Sequence, residues 1–153
     1  MSEPDSAKSP DEARLKPPSV QGMLEYGLYV EDLPLAVEFY QELFGFPRLF
    51  ADSRMAALDV EGVQVLLLFR RGASRKPVTT SGGVLPGHDG QGTLHLAFAI
   101  SGDEFVRWEG WLDHHGVEIE SRVRWDRGGG SIYFRDPDGH LLELVTPGVW
   151  ATY

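Results

Sequence analysis

Two stretches of this chain repeat one another: Asp32 opens a helix-forming segment that Gly45 stops, and Asp103 and Gly116 bracket a second segment at the same separation. A repeat of this kind restricts the chain to folds built from two like units. In the first unit Leu24 to Val30 reads as a strand, and Asp32 suits a helix N-cap with Pro34 tolerated in the first turn. Leu33, Val37, Tyr40 and Phe44 then line one helical face. Three short strands are expected after Gly45, over Phe46 to Ala51, Arg54 to Val60 and Val63 to Arg70, with Glu61-Gly62 as the last turn. The second unit follows the same order. Thr93 to Ile100 reads as a strand and Asp103 to His115 as a helix with Phe105, Trp108 and Leu112 on one face. Val117 to Trp125, Ser131 to Phe134 and His140 to Val145 are the closing strands. The pattern βαβββ therefore occurs twice.

The last turn of the second unit is Asp136-Pro137-Asp138-Gly139, with proline where a turn needs a preset φ and glycine where it needs a left-handed exit. Ile132 to Phe134 and Leu141 to Val145 should pair across it. Side chains alternate along a strand, so Leu141, Glu143 and Val145 share a face and one carboxylate interrupts an apolar row. An unpaired buried carboxylate costs several kcal/mol. A metal ion or another partner for Glu143 is expected.

Between the units, Arg71 to Gly92 is rich in Gly, Ser, Thr and Pro and reads as a linker or long loop, with His88 as a mobile member of it. Residues 1 to about 20 mix Ser, Pro, Asp, Glu and Lys without periodicity and read as a flexible tail. Residues 21–150 then form one domain with modules over about 23–70 and 93–146. With 153 residues such a domain can bury a core without disulfides, and the absence of cysteine excludes a thiolate metal site or a cysteine nucleophile. A net charge of −9 and no dense basic stripe argue against nucleic acid. No segment approaches the ~20 apolar residues of a membrane span or forms the apolar core of a signal peptide, which makes a cytoplasmic protein the default expectation.

Tyr29-Val-Glu-Asp-Leu33, Phe39-Tyr40, Leu43-Phe-Gly-Phe46, His95-Leu-Ala-Phe98 and Phe134-Arg-Asp-Pro-Asp-Gly139 through Leu142-Glu-Leu144 together resemble the vicinal oxygen chelate superfamily. This is the group of glyoxalases, bleomycin-resistance proteins and extradiol dioxygenases. The resemblance covers nearly everything after the tail. It implies an α+β fold in which two βαβββ modules form a half-open mixed β-barrel around a central cavity. A divalent metal would sit inside, held from the first and last strands of the modules, and a homodimer would complete barrels or sites across a two-fold axis. Carried over position by position, the ligands fall on Glu25, His95 and Glu143, where Glu25 replaces the usual histidine. The fourth position falls on Leu66 or Leu67, neither of which can bind a metal.

One imidazole and two carboxylates would suit Zn²⁺, Mn²⁺, Fe²⁺ or Ni²⁺ with positions left open for a bidentate substrate. The resemblance thus implies a metal-dependent enzyme of the glyoxalase or dioxygenase type, acting on a small oxygenated substrate, with Glu143 or Glu25 moving a proton. Tyr29, on the face of Glu25, and Gln64, on the face of Leu66, are candidates for the substrate pocket together with Leu66. The competing reading is a metal-free binding protein of the bleomycin-resistance kind, sequestering an aromatic or cationic molecule in an acidic groove. His114 and His115, at a helix C-terminus, read as caps, and His140, on the opposite strand face from Glu143, as solvent-exposed. Arg122, Arg124 and Arg127 form a basic cluster around Trp125 that reads as surface charge balance.

Overall fold

A computed structural model describes residues 17–153, so most of the expected tail, residues 1–16, lies outside the described residues. The repeated order is present. The first module runs β1 (Glu25–Val30), α1 (Leu33–Phe44), β2 (Arg48–Ala51), β3 (Met55–Val60) and β4 (Gln64–Arg70). A small hairpin, β5 (Val78–Thr80) and β6 (Gly83–Leu85), forms within the expected linker. The second module follows as β7 (His95–Ala99), α2 (Phe105–His114), β8 (Ser121–Arg124), β9 (Gly130–Arg135) and β10 (Leu141–Val145). Each module makes its own four-stranded mixed sheet, in the orders β1-β4-β3-β2 and β7-β10-β9-β8. The sheets do not join, so the barrel is half-open. Among the described residues no helix is long and apolar enough to cross a membrane.

Local chemistry explains the helix ends. The Asp32 carboxylate accepts from the Leu35 amide at 3.0 Å, and Gly45, at φ 72°, takes the left-handed conformation that closes α1 onto the Gln41 carbonyl. The buried stripe of α1 is Leu33, Ala36, Tyr40 and Leu43, rotated from the expected Val37 and Phe44. Phe44 turns aside because it meets the other module: its ring centroid lies 4.6 Å from Phe98 and 5.5 Å from Trp108. One apolar core therefore spans both modules, from Leu28 and Leu68 to Ile132 and Leu144. Each such leucine contributes roughly 2 kcal/mol of transfer free energy. The second module buries less of its helix, where Leu112 alone is fully covered, and its segment before β8 is irregular instead of the expected long strand.

The turn after β9 fastens the modules together. Tyr40 of α1 donates its hydroxyl to Asp136 at 2.8 Å, and Asp138 accepts the Glu31 amide at 2.7 Å. His140 is fully buried, which corrects the exposed position expected from strand alternation. Its Nδ1 accepts the Leu94 amide at 2.9 Å while Nε2 donates to the Tyr29 carbonyl at 2.8 Å. Alternation located its face correctly; that face is covered by the other module.

Burial pushes the Asp136 carboxyl above the ordinary aspartate range, against the pull of the Tyr40 hydroxyl and the His140 and Asp138 amides. A carboxyl raised on folding favours the folded chain below its unfolded value, and that contribution is lost as pH rises through its folded value. Asp136→Asn carries no such proton. Wild-type stability relative to Asp136→Asn is therefore expected to fall as pH climbs from about 4, the unfolded value, and urea titrations at successive pH values measure it. A difference that rises with pH would show the shift to run the other way.

Candidate metal centre

In the second sheet Leu141 lies beside His95 and Glu143 beside Ala97, while β9 sets Tyr133 opposite Glu143. Residues in register share a face. His95, Glu143 and Tyr133 therefore project from the same side, and the small Ala97 leaves room next to the carboxylate. His95 Nε2 stands 3.3 Å from Glu143 Oε2, and the Tyr133 hydroxyl donates to Oε1 at 3.0 Å. Glu143 is only 7 % exposed, whereas half of the His95 side chain reaches solvent.

The hydrogen-bond geometry fixes what each group can do. His95 Nδ1 lies 3.0 Å from the Leu141 carbonyl, an acceptor only, so Nδ1 carries the hydrogen. In the neutral ring Nε2 is then bare, with its lone pair directed at a carboxylate oxygen. Two lone pairs at that distance repel unless a proton or a cation lies between them. Burial, then the bond to Glu143, raises the Tyr133 phenol above its ordinary value, so it stays protonated and keeps Glu143 oriented. One imidazole nitrogen and one oriented carboxylate fit two positions of a divalent-metal site, with Leu141 and Tyr133 as the outer supports that such ligands need.

The other expected residues lie elsewhere. Glu25 pairs with Val65, Gly27 with Leu67 and Tyr29 with Phe69, so Glu25 and Tyr29 share the open face of the first sheet with Leu67. Leu67, not Leu66, is therefore the residue at the fourth position. Leu66 is buried in the core, and Gln64, on the same side as Leu66, donates to the Tyr26 hydroxyl at 2.9 Å. The expected pocket of Tyr29, Gln64 and Leu66 is thus divided between the two faces of one sheet, because a shift of one residue in register exchanges every side chain between faces. Among the described residues, no group of three or more His, Asp or Glu side chains is placed to hold a metal ion. Glu25 does not join His95 and Glu143 within one chain.

His88, expected to be mobile, is anchored. Its Nδ1 meets the Tyr29 hydroxyl at 2.7 Å, and its ring packs edge-on against Phe69 with centroids 4.5 Å apart. Gly90 lies against the Tyr29 ring so closely that a Cβ would collide with it. The loop from 71 to 92 thereby caps one end of the face bearing Glu25. Arg122 and Arg124 are in register with Ile132 and Gly130 and so point away from Glu143. Arg122 pairs with Glu109, and Arg124 lies over the Phe105 ring at 5.7 Å. His115 Nδ1 sits 3.0 Å from the Trp111 carbonyl, the capping contact its place at a helix end implies. Sequence reasoning missed Tyr133. Counting outward from the Asp136 to Gly139 turn would have paired it with Glu143.

The model of the Glyoxalase/Bleomycin resistance protein/Dioxygenase superfamily matches residues 22–144. Metallothiol transferase FosB of Lysinibacillus sphaericus is 33% identical over 129 residues, covering 84% of each chain. The protein of the same name from Staphylococcus haemolyticus is 30% identical over 128 residues, covering 83% of this chain and 84% of its own. Among solved structures, lactoylglutathione lyase from Agrobacterium tumefaciens superposes with a TM-score of 0.79 at 28% identity, over 89% of this chain and 99% of that one.

Proposed function

Since the chain belongs to the glyoxalase/bleomycin resistance protein/dioxygenase superfamily, we propose that it is a divalent-metal-dependent enzyme whose metal chelates a small oxygenated substrate. The observation that carries this reading is the approach of His95 Nε2 to Glu143 Oε2 at 3.3 Å, two donors facing one point with their outer atoms already tied down. Relatives named metallothiol transferase and lactoylglutathione lyase support it. The first name refers to a thiol, and the glutathione in the second carries one. This chain has no cysteine, so any thiol would arrive as a second substrate.

Glu25 completes the set in this reading, delivered from a second copy across a two-fold axis, because within one chain it stands on the other sheet. A bound Zn, Mn, Fe or Ni ion would supply Lewis acidity, polarising the substrate oxygen. The chain's own residues do the rest. His95 holds its bare nitrogen toward the site through the Leu141 carbonyl. Tyr133 keeps Glu143 in place, and one of the two glutamates takes a proton from the substrate once it is bound.

A metal-free binding protein is favoured by one specific observation, Leu67 at the fourth position. An open groove of about 1190 Å³ beside α1, where Glu31, Asp32, Glu38, Glu42 and Asp52 outnumber Arg48 and Arg70, would suit its cationic ligand.

Mixed oligomers discriminate between these readings. Glu25→Gln and Glu143→Gln, each expressed alone, are expected to purify without stoichiometric metal. Co-expressed, they form mixed dimers in which one site regains all its ligands and the other loses two, so elemental mass spectrometry should recover metal. Metal retained by Glu25→Gln expressed alone would place Glu25 outside the site, and recovery of none on co-expression, with wild-type protein loaded, would overturn its delivery from a second copy. Wild-type protein that takes up no Zn, Mn, Fe or Ni would leave the binding-protein reading in force.

A further inference from the structure

β1 and β7 occupy the same place in their modules, Glu25 pairing with Val65 as His95 pairs with Leu141. Gln64 therefore stands in the first module where His140 stands in the second. The two residues treat the seam between the modules differently. His140 crosses it to the Tyr29 carbonyl. Gln64 stays on its own side, with Nε2 donating to the Tyr26 hydroxyl at 2.9 Å and lying 3.5 Å from the Met23 carbonyl. On that side the seam opens into a cavity of about 480 Å³, within the range of small-molecule sites.

Its wall is unusually aromatic. Tyr26, Phe44, Phe46, Phe98 and Trp108 contribute rings, with Leu96 between them. The Phe46 and Phe98 centroids are 5.7 Å apart, at an angle of 49°. The only charged residue among those that line it is Glu61, which is exposed.

We propose that this seam cavity is a binding site for a neutral, planar aromatic molecule bearing a hydroxyl, stacked among these rings and oriented by the Tyr26–Gln64 pair. Aromatic walls favour a planar guest through offset and edge contacts. The Tyr26 oxygen accepts from Gln64, so its own hydrogen can be donated to the guest. Gln64 Oε1 can accept the guest's hydroxyl in return. Glu61, the sole charge, disfavours an anion. The site is separate from the metal centre: Ala97 and Ala99 touch the cavity, yet in register they stand with Glu143 and Val145, so β7 lies between the two sites. The inference holds whether or not a metal binds.

Titrating the full-length protein with 2-naphthol, followed by calorimetry, tests it. One saturable site per chain is expected, unchanged by EDTA and in His95→Ala. Tyr26→Phe should weaken binding about tenfold, the effect of one hydrogen bond. 2-Methylnaphthalene, which lacks the hydroxyl, should bind wild type about as weakly and be indifferent to Tyr26→Phe. Leu96→Trp, which fills the cavity, should abolish binding. Should that variant fail to fold, the comparison of the two ligands on Tyr26→Phe carries the test alone. Absence of saturable binding, equal affinity in wild type and Tyr26→Phe, or loss of binding in His95→Ala would each overturn the proposal.

Discussion

Glu143→Gln is expected to lose metal affinity by about a hundredfold to a thousandfold while the apo protein becomes no less stable. The two effects separate because Glu143 serves two states differently. Without a metal, a carboxylate only 7 % exposed has the Tyr133 hydroxyl alone to offset its desolvation, while the bare His95 nitrogen faces it. Gln keeps the bond from Tyr133 and removes the buried charge, so thermal unfolding should occur at the same temperature or higher. With a metal, the charge is what binds, and the amide is a poor substitute. His95→Ala should show the same loss of metal. Tyr133→Phe should cost about tenfold to a hundredfold, since it removes only the support behind the ligand. Cobalt titration read by its visible absorption measures all three. If Glu143→Gln destabilises the apo protein and leaves cobalt binding intact, the carboxylate is structural and the centre lies elsewhere.

The residues of the candidate centre were more legible than their arrangement. Glu143 stood out because strand alternation placed a charge in an apolar row, and the turn residues Asp136 to Gly139 fixed which strands pair. Both signals are local. The repeat was equally readable, since Asp32 with Gly45 and Asp103 with Gly116 bracket the two helical segments through cap chemistry that needs no tertiary context. Leu67 could not be chosen over Leu66 from sequence, because parallel register between β1 and β4 is set by side chains far apart in the chain. The separation of Glu25 from His95 was hidden for a related reason. The ligand set counts residues within each module, whereas the distance between them depends on how whole modules dock. His88 looked mobile among glycines, yet Gly90 is there to let the loop approach Tyr29 closely. Glycine content alone does not distinguish a loose loop from a tightly packed one.

His140→Ala is expected to destabilise the protein by about 3 kcal/mol, a loss measurable by urea unfolding. The loss of two of its three bonds explains the size. The imidazole accepts the Leu94 amide and donates to the Tyr29 carbonyl, and the His140 amide bonds Asp136. Truncation spares the last but leaves the Leu94 amide without its partner and the Tyr29 carbonyl with only Arg71 Nε at 3.3 Å, and it opens a cavity where a fully buried ring stood. The same bonds join the strands that carry all three candidate ligands. Tyr29 lies next to the end of the strand of Glu25, Leu94 precedes His95, and His140 itself leads into β10 and Glu143. Loss of the ring should therefore loosen the candidate metal centre as well as the fold. His140→Asn, which can still accept with its carbonyl oxygen and donate with its amide over a shorter reach, should recover part of the stability. If His140→Ala unfolds with wild-type stability, the imidazole does not fasten the modules, and the apolar core with the Tyr40–Asp136 and Glu31–Asp138 bonds holds them.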